Sequence, residues 1–315
     1  MTGLPVVVRG LGLDDAERQE LRDAAGPGLD LRFPADGADV DFTDVVAAVG
    51  RVGDAELAAA PALRWIHLWT AGADHAFTPG LLARPEITLS ASAGNGAVGL
   101  AEHAILLLLL LDRGGWHWAR AQREHRWDPA THGELAGRTI GLVGFGNAGR
   151  HLAGIARGMG MRVLATRRTA GDDPAVDAMY PPDRLTRMLP ECDAVVVTAP
   201  LTPQTRGLLG EAEFRAMKPT AYYVNVSRGE VADADALDRA LDEGWIAGAG
   251  LDAHHVEPLP PGSPLWDRPN VLVTPHNGST SRQSRRRSFD TVAANLRRFA
   301  AGAPLASVVD RTAGY

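Results

Sequence analysis

The stretch TIGLVGFGNAGRHLAGIA, Thr139 to Ala156, constrains this chain more than any other. A strand-like run enters Gly144, Gly146 and Gly149, and a helical pattern starts at once. Glycine is needed at each point for its own reason. Gly144 permits a tight turn, Gly146 lets the backbone come close to a pyrophosphate, and Gly149 lets the helix pack against the strand. The helix N-terminus then offers N–H groups and the positive end of its dipole to an anion. Among 35 glycines a chance match is expected, so the surroundings must decide.

They favour a dinucleotide site. From Arg138 onward six strand candidates follow: Thr139–Val143, Arg162–Thr166, Asp193–Thr198, Ala221–Val226, Ile246–Leu251 and Val271–Thr274. Helical segments separate most of them, and six is the strand number of a fold built from two mononucleotide halves. Earlier in the chain, apolar runs at Val6–Val8, from Val45, at Trp65–Leu68 and at Ile87–Ser90 alternate with a helix near Asp14–Ala25. Alternation of this kind predicts an α/β protein with parallel sheets. A helix from Gly99 to Asp112 is apolar enough to lie between domains or subunits. The last helix, Arg282–Ala300, is amphipathic through Phe289, Val292, Leu296 and Phe299, and is expected to return to the first domain. At 315 residues two domains are the natural expectation. They are read as a discontinuous first domain, 1–98 plus 280–315, and a dinucleotide-binding domain, 99–279.

Composition excludes several classes. A formal net charge of −6 argues against nucleic acid or an anionic membrane surface as partner. The basic cluster within SRQSRRRS, Ser281 to Ser288, reads as a solvated helix face, with a contact to an anionic substrate as the alternative. The apolar stretch Ala104 to Leu111 is far short of the ~18 residues of a membrane span. No signal peptide is apparent at the start, so a cytoplasmic protein is expected. The single cysteine, Cys192, excludes an internal disulfide and reads as a buried, inert thiol. No histidine, cysteine and carboxylate spacing points to a metal site, and none is expected.

Ligands of an open α/β sheet bind beyond the carboxyl ends of its strands. Ser227-Arg228-Gly229, Asp252 with Glu257, and Pro275-His276 follow three successive strand candidates. These are the parts that reduction of a 2-oxo acid needs. Arginine supplies a planar, permanently charged fork for the substrate carboxylate. Histidine supplies a proton donor titrating near neutrality, and a neighbouring carboxylate stabilises its imidazolium form.

The pieces GLVGFGNAGR, PLTPQTRGLLG, MKPTAYYVNVSRGEVADADAL, GAGLDAHHVEPLPPGSPLW and NVLVTPHNG, in this order, make the chain resemble the D-isomer-specific 2-hydroxyacid dehydrogenase family over nearly its full length. The resemblance implies a doubly wound Rossmann domain inserted into a smaller flavodoxin-like substrate domain, a cleft between them, and a homodimer. It gives Arg228 the substrate carboxylate, His276 the acid/base role, and Glu257 the part of its partner. Backbone amides of Ala71 and Gly72, in WTAGADH, would also hold the carboxylate. Asp252 would hold the nicotinamide carboxamide, with Ser92 and Val98 on the nicotinamide side, and Val226, Ser227, Arg228, His276 and Gly278 would be further cofactor contacts. Asn147 and Ala148 would meet the pyrophosphate, and Ala199, Pro200 and Thr205 would wall the adenosine. Glyoxylate and hydroxypyruvate are the first substrates it suggests.

There are departures from the family pattern. His254 stands where an aromatic is common, and with His255 it is expected to point to solvent or else to perturb the His276–Glu257 pair. Trp69 is either a core residue or a wall of the substrate pocket. Trp127 falls where some relatives reach into the neighbouring subunit's site. The chain ends about 40 residues after His276, which disfavours the larger phosphoglycerate dehydrogenases. Glu257 disfavours formate dehydrogenases, which carry glutamine in that role. A dinucleotide-sensing corepressor is the alternative to an enzyme.

The cofactor is read from MRVLATRRT, Met161 to Thr169. An acid about 20 residues past the glycines would bind the ribose 2′-hydroxyl of NAD. Arg167 occupies that position, with Arg168 and Thr169 beside it. A guanidinium fork suits a 2′-phosphate, which predicts a preference for NADPH, with NAD as the alternative.

Overall fold

The computed structural model describes residues 3–35, 37–169 and 171–315. Met1 and Thr2, where the first expected domain begins, and Asp36 and Ala170, inside the two expected domains, lie outside the described residues. The chain divides into two compact units, residues up to 95 together with 281–315, and residues 96–280.

The first unit holds β1 (Leu4–Val8), β2 (Leu29–Arg32), β3 (Ala47–Val49), β4 (Trp65–Leu68) and β5 (Thr88–Ala91). They form an all-parallel sheet in the order β2-β1-β3-β4-β5, the flavodoxin-like winding. Successive residues of β1 serve opposite faces: Val6 and Val8 join one apolar core, Val7 the other. The Arg282–Ala300 helix buries Phe289, Val292 and Leu296 in the first of these cores, beside Leu21 of the Asp15–Ala25 helix. Its arginines are spent locally. Arg285 pairs with Glu17, and Arg286 with Glu20 at 2.6 Å and Asp290 at 2.8 Å. Arg286 thus lies on a solvated helix face, whereas Arg285 ties the helix to Glu17 and the Leu11 and Gly12 carbonyls.

The second unit holds β6 (Thr139–Val143), β7 (Arg162–Thr166), β8 (Ala178–Tyr180), β9 (Ala194–Val197), β10 (Tyr222–Asn225), β11 (Gly248–Leu251) and β12 (Val271–Val273). All are parallel, in the order β12-β11-β10-β9-β6-β7-β8. Counted from β6 this is the Rossmann winding, extended by one strand at the β12 edge. Along β9, Val195 and Val197 face one core while Ala194 and Val196 face the other, so helices must cover both sides. The Ala97–Arg113 helix is one such cover. It buries Ala104, Leu107, Leu108 and Leu111 with Val196 and Val224 of the sheet, so most of its apolar surface is used inside this unit.

The edge strands β2 and β8 were not expected. In β2 only Leu29 and Leu31 are buried, while Asp30 and Arg32 form an exposed ion pair at 3.1 Å. All three residues of β8 are half-buried. With so little apolar surface, neither segment carries the continuous run of a central strand. Among the described residues no helix is long and apolar enough to cross a membrane. Cys192 is buried, and burial pushes its thiol up to about 12, which keeps it protonated and inert.

Candidate active site

The turn after β6 is built as the glycine spacing requires. Gly144 has φ +98°, and a Cβ there would lie 2.5 Å from the Ala199 nitrogen. A Cβ on Gly149 would lie 2.8 Å from the Gly144 carbonyl oxygen, so the helix can sit this close only without a side chain. The space around Gly146 is open, and no side chain caps the Asn147–Gly158 helix. Asn147 is exposed and Ala148 half-exposed, so the N–H groups of the first turn are available to an anion.

Beside this turn, at the end of β7, Arg167 is half-buried while Arg168 and Thr169 are exposed. Arg167 donates through Nε to the Thr169 carbonyl at 2.8 Å and through Nη2 to Gly171 at 3.0 Å. Its planar fork is thus anchored at the mouth of the strand. After β9, Thr205 donates to the Pro200 carbonyl at 2.6 Å and accepts from the Thr202 amide at 2.8 Å, which closes the Ala199–Thr205 turn.

The chemistry-bearing edge is formed by β10, β11 and β12, adjacent parallel strands whose C-terminal ends lie together. After β10, buried Asn225 donates to the Arg228 carbonyl at 2.9 Å and accepts from the Ser227 amide at 3.0 Å. These bonds fix the loop that presents half-buried Arg228, whose Nη1 donates to the Ser227 carbonyl at 2.9 Å. Val226 is buried, and the Ser227 hydroxyl donates to the Ala199 carbonyl, joining this loop to the one after β9. Gly229 lies so close to the His254–His255 backbone that a Cβ would meet it at 2.1 Å. The arginine loop is therefore packed against the loop that carries Glu257.

Glu257 and His276, 19 residues apart in sequence, are hydrogen-bonded. His276 Nδ1 lies 2.7 Å from Glu257 Oε2 and 2.9 Å from Oε1. A carboxylate accepts, so Nδ1 carries the proton and Nε2 is the atom left to act. Glu257 is oriented in turn by the His254 amide, which donates to Oε1 at 2.8 Å. The expectation that His254 and His255 point to solvent fails for His254. It is 7% exposed, and its Nε2 bonds the Thr274 carbonyl at 2.9 Å. His255 is exposed, with Nε2 2.7 Å from the Ala232 carbonyl.

Below this pair lies Asp252, fully buried at the end of β11. It accepts from the Thr274 hydroxyl at 2.6 Å and from the amides of Asn277 at 3.0 Å and Gly278 at 2.9 Å. Burial alone would raise its pKa, but hydrogen bonds from His103, Thr274, Gly278 and Asn277 outweigh it and hold the carboxyl well below the usual range. His103, on the Ala97–Arg113 helix, reaches the same network at 2.9 Å from the Thr274 hydroxyl. His276 itself has φ +51°, a left-handed conformation that costs a non-glycine residue roughly 1–2 kcal/mol. The two amides that follow it both end on Asp252, which holds that conformation in place. A Cβ on Gly278 would meet Asp252 Oδ2 at 2.8 Å, so the network also explains that glycine.

In the other unit, Ala71 is exposed and Gly72 half-exposed in the turn after β4. Thr70 donates to the Gly72 carbonyl at 2.9 Å, and Asn95 to the Trp69 carbonyl at 3.1 Å. Trp69 packs on the core and donates to the Arg9 carbonyl at 2.9 Å, as a core residue would. Ser92 is fully buried, with its hydroxyl 3.2 Å from His67 Nε2, whereas Val98 belongs to the second unit and is half-exposed there. His67 is buried among Ser90, Ser92 and Asn295, and burial lowers its pKa to about 4. Trp127 is 97% exposed. Among the described residues no cluster could hold a metal ion. Asn95, His103, Asn225 and the His254 amide were missed in the sequence, since each acts by holding a neighbour and belongs to no glycine, arginine or histidine motif.

A glycine-turn cradle and a histidine–carboxylate pair on one Rossmann sheet define an NAD(P)-dependent oxidoreductase. The model of the D-isomer specific 2-hydroxyacid dehydrogenase NAD-binding domain matches residues 105–278. A glyoxylate reductase of Korarchaeum cryptofilum is 38% identical over 258 residues, 79% of this chain and 77% of that protein. The structure of an NADPH-dependent glyoxylate/hydroxypyruvate reductase from Sinorhizobium meliloti, in complex with NADP and sulfate, superposes with a TM-score of 0.84 at 30% identity, covering 99% of both chains. A D-isomer specific 2-hydroxyacid dehydrogenase from Xanthobacter autotrophicus, in complex with NADPH and MES, gives 0.84 at 32% identity over all of both chains. This chain belongs to the D-isomer specific 2-hydroxyacid dehydrogenase family.

Proposed function

We propose that the protein is an NADPH-preferring reductase that converts a small 2-oxo acid, of the glyoxylate or hydroxypyruvate kind, to the D-2-hydroxy acid. The observation that carries the reading is the His276–Glu257 pair, 2.7 Å apart and on the same sheet edge as the loop of Arg228. The names of the Korarchaeum and Sinorhizobium relatives support the substrate class.

The residues fit a dinucleotide, because the Gly146 turn is open and the Asn147–Gly158 helix start is uncapped. When bound, the reduced nicotinamide supplies a hydride to the substrate's carbonyl carbon. His276 delivers a proton from Nε2 to the carbonyl oxygen, with Glu257 as counter-ion on the Nδ1 side. Positioned proton transfer of this kind contributes roughly 10²–10⁴-fold. Arg228 clamps the substrate carboxylate, with the Ala71 and Gly72 amides as further donors.

Asn147 and Ala148 take the pyrophosphate, and Arg167, Arg168 and Thr169 the 2′-phosphate. Ala199, Pro200 and Thr205 line the adenosine side. Val226, Ser227, Asp252 and Gly278, with Ser92 and Val98, belong to the nicotinamide end. In this reading residues 99–279 are the cofactor domain, and 1–98 with 280–315 the substrate domain. The protein acts as a homodimer, and the exposed Trp127 is the side chain proposed to meet the second subunit. The test is a panel of 2-oxo acids run with NADPH and NADH in parallel, followed at the reduced-nicotinamide absorbance. Glyoxylate or hydroxypyruvate turned over with NADPH is the expected result. Tight dinucleotide binding without turnover of any 2-oxo acid would refute the reading in favour of a sensor.

A further inference from the structure

Next to the glycine turn, a carboxylate from the loop after β7 sits against two arginines. Asp173 Oδ2 lies 2.6 Å from Arg150 Nη1 and 3.6 Å from Arg167 Nη1. Arg150 belongs to the first turns of the Asn147–Gly158 helix, its guanidinium 4.9 Å from the Phe145 ring centre. Arg167 has already committed Nε and Nη2 to carbonyls, so Nη1 is the edge it turns to Asp173. The Asp173 side chain is 10% exposed, and its other oxygen accepts the Ala175 amide at 3.1 Å. It is not the only tie between loop and helix, because Arg157 also donates to the Pro174 carbonyl at 3.2 Å.

We propose that Asp173 is a specificity-determining residue, an internal anion that competes with the cofactor's 2′-phosphate for Arg150 and Arg167. The inference rests on the NADPH reading above. Asp173 opposes the phosphate in two ways: it occupies guanidinium donors and it repels a second anion at close range. A ribose without the phosphate meets neither effect. Asp173 therefore moderates a preference that the arginines create, and its removal sharpens that preference.

The experiment uses Asp173→Asn, which keeps an acceptor for the Ala175 amide and removes the charge. Dissociation constants for NADPH and NADH are measured by fluorescence titration at low salt and at high salt. The expected result is NADPH binding about tenfold tighter, NADH within about twofold of the parent protein, and a gain that shrinks as salt screens the charges. Asp173→Glu should keep the parent ratio. Should the asparagine variant fail to fold, Asp173→Ser carries the same test. Unchanged or weaker NADPH binding, or an equal shift for both cofactors, overturns the proposal. A parent protein that binds NADH as tightly as NADPH refutes the underlying cofactor reading before any variant is made, and removes the proposal with it.

Discussion

Replacing Glu257 by glutamine keeps the shape of the side chain and removes its charge. Charge-assisted hydrogen bonds contribute about 1.5–3 kcal/mol and neutral ones about 0.5–1.5 kcal/mol, so the imidazolium loses about 1–1.5 kcal/mol of support. The His276 and Glu257 side chains are 32% and 37% exposed, so water screens the pair and the lower figure, about 1 kcal/mol, applies. Alone that is about a fivefold loss. A second effect adds to it. The His254 amide already donates to Oε1, which fixes the glutamine oxygen there and turns its NH₂ toward Nδ1. The shorter of the two contacts of Nδ1 then meets a donor, which leaves only the 2.9 Å contact to Oε1 to support the imidazolium that gives up its proton from Nε2. Together the two effects predict a fall in kcat of about ten- to hundredfold, no more than the roughly 10²–10⁴ that acid–base catalysis supplies. The assay is steady-state NADPH oxidation at saturating substrate, with NADPH affinity measured separately and expected to stay within about twofold. A kcat within twofold of the parent enzyme would refute the pairing as the source of catalysis.

Three further outcomes follow from the same geometry. Arg228→Ala should lower kcat/KM for 2-oxo acids by about two orders of magnitude, or roughly 3 kcal/mol, and spare an aldehyde that lacks the carboxylate; near-parent turnover of the acids would rule out the clamp. Asp252→Asn should destabilise the fold by about 2–4 kcal/mol in urea unfolding, since two amides would meet a group that can no longer accept from both as an anion. His67 has its pKa lowered to about 4 by burial, against about 6.5 in an unfolded chain. The unfolded state thus binds a proton first, so this residue's contribution is intact above about pH 6.5 and falls by up to about 3 kcal/mol as pH drops toward 4. Unfolding curves of His67→Gln should lack that part of the acid sensitivity, and identical pH profiles for the two proteins would contradict it.

What the sequence made legible was the part with local chemistry. The Gly144, Gly146 and Gly149 spacing, set between a strand-like run and a helical pattern, implies such a turn, and Gly144 adopts the positive φ that it needs. Strand ends could be read because the apolar runs stop just before Ser227-Arg228, Asp252 and Pro275-His276. The edge strands β2 and β8 escaped notice, because each buries too little apolar surface to leave a continuous run. The residues that hold the site escaped for another reason. Asn225, His103 and Asp173 act through partners 3 to 171 residues away, and no spacing rule announces such contacts. His254 was misjudged because its side chain and its backbone serve different ends. The ring bonds the Thr274 carbonyl while the amide orients Glu257.

The central claim is that His276 is the proton donor in an NADPH-dependent reduction of a 2-oxo acid. The most direct test compares the parent protein with His276→Ala, with glyoxylate and hydroxypyruvate as substrates and NADPH affinity titrated in both. The parent protein should turn both acids over, the variant should lose at least a hundredfold, and NADPH binding should stay within about twofold. Retained turnover in His276→Ala, or a parent protein that binds NADPH and reduces neither acid, would contradict it.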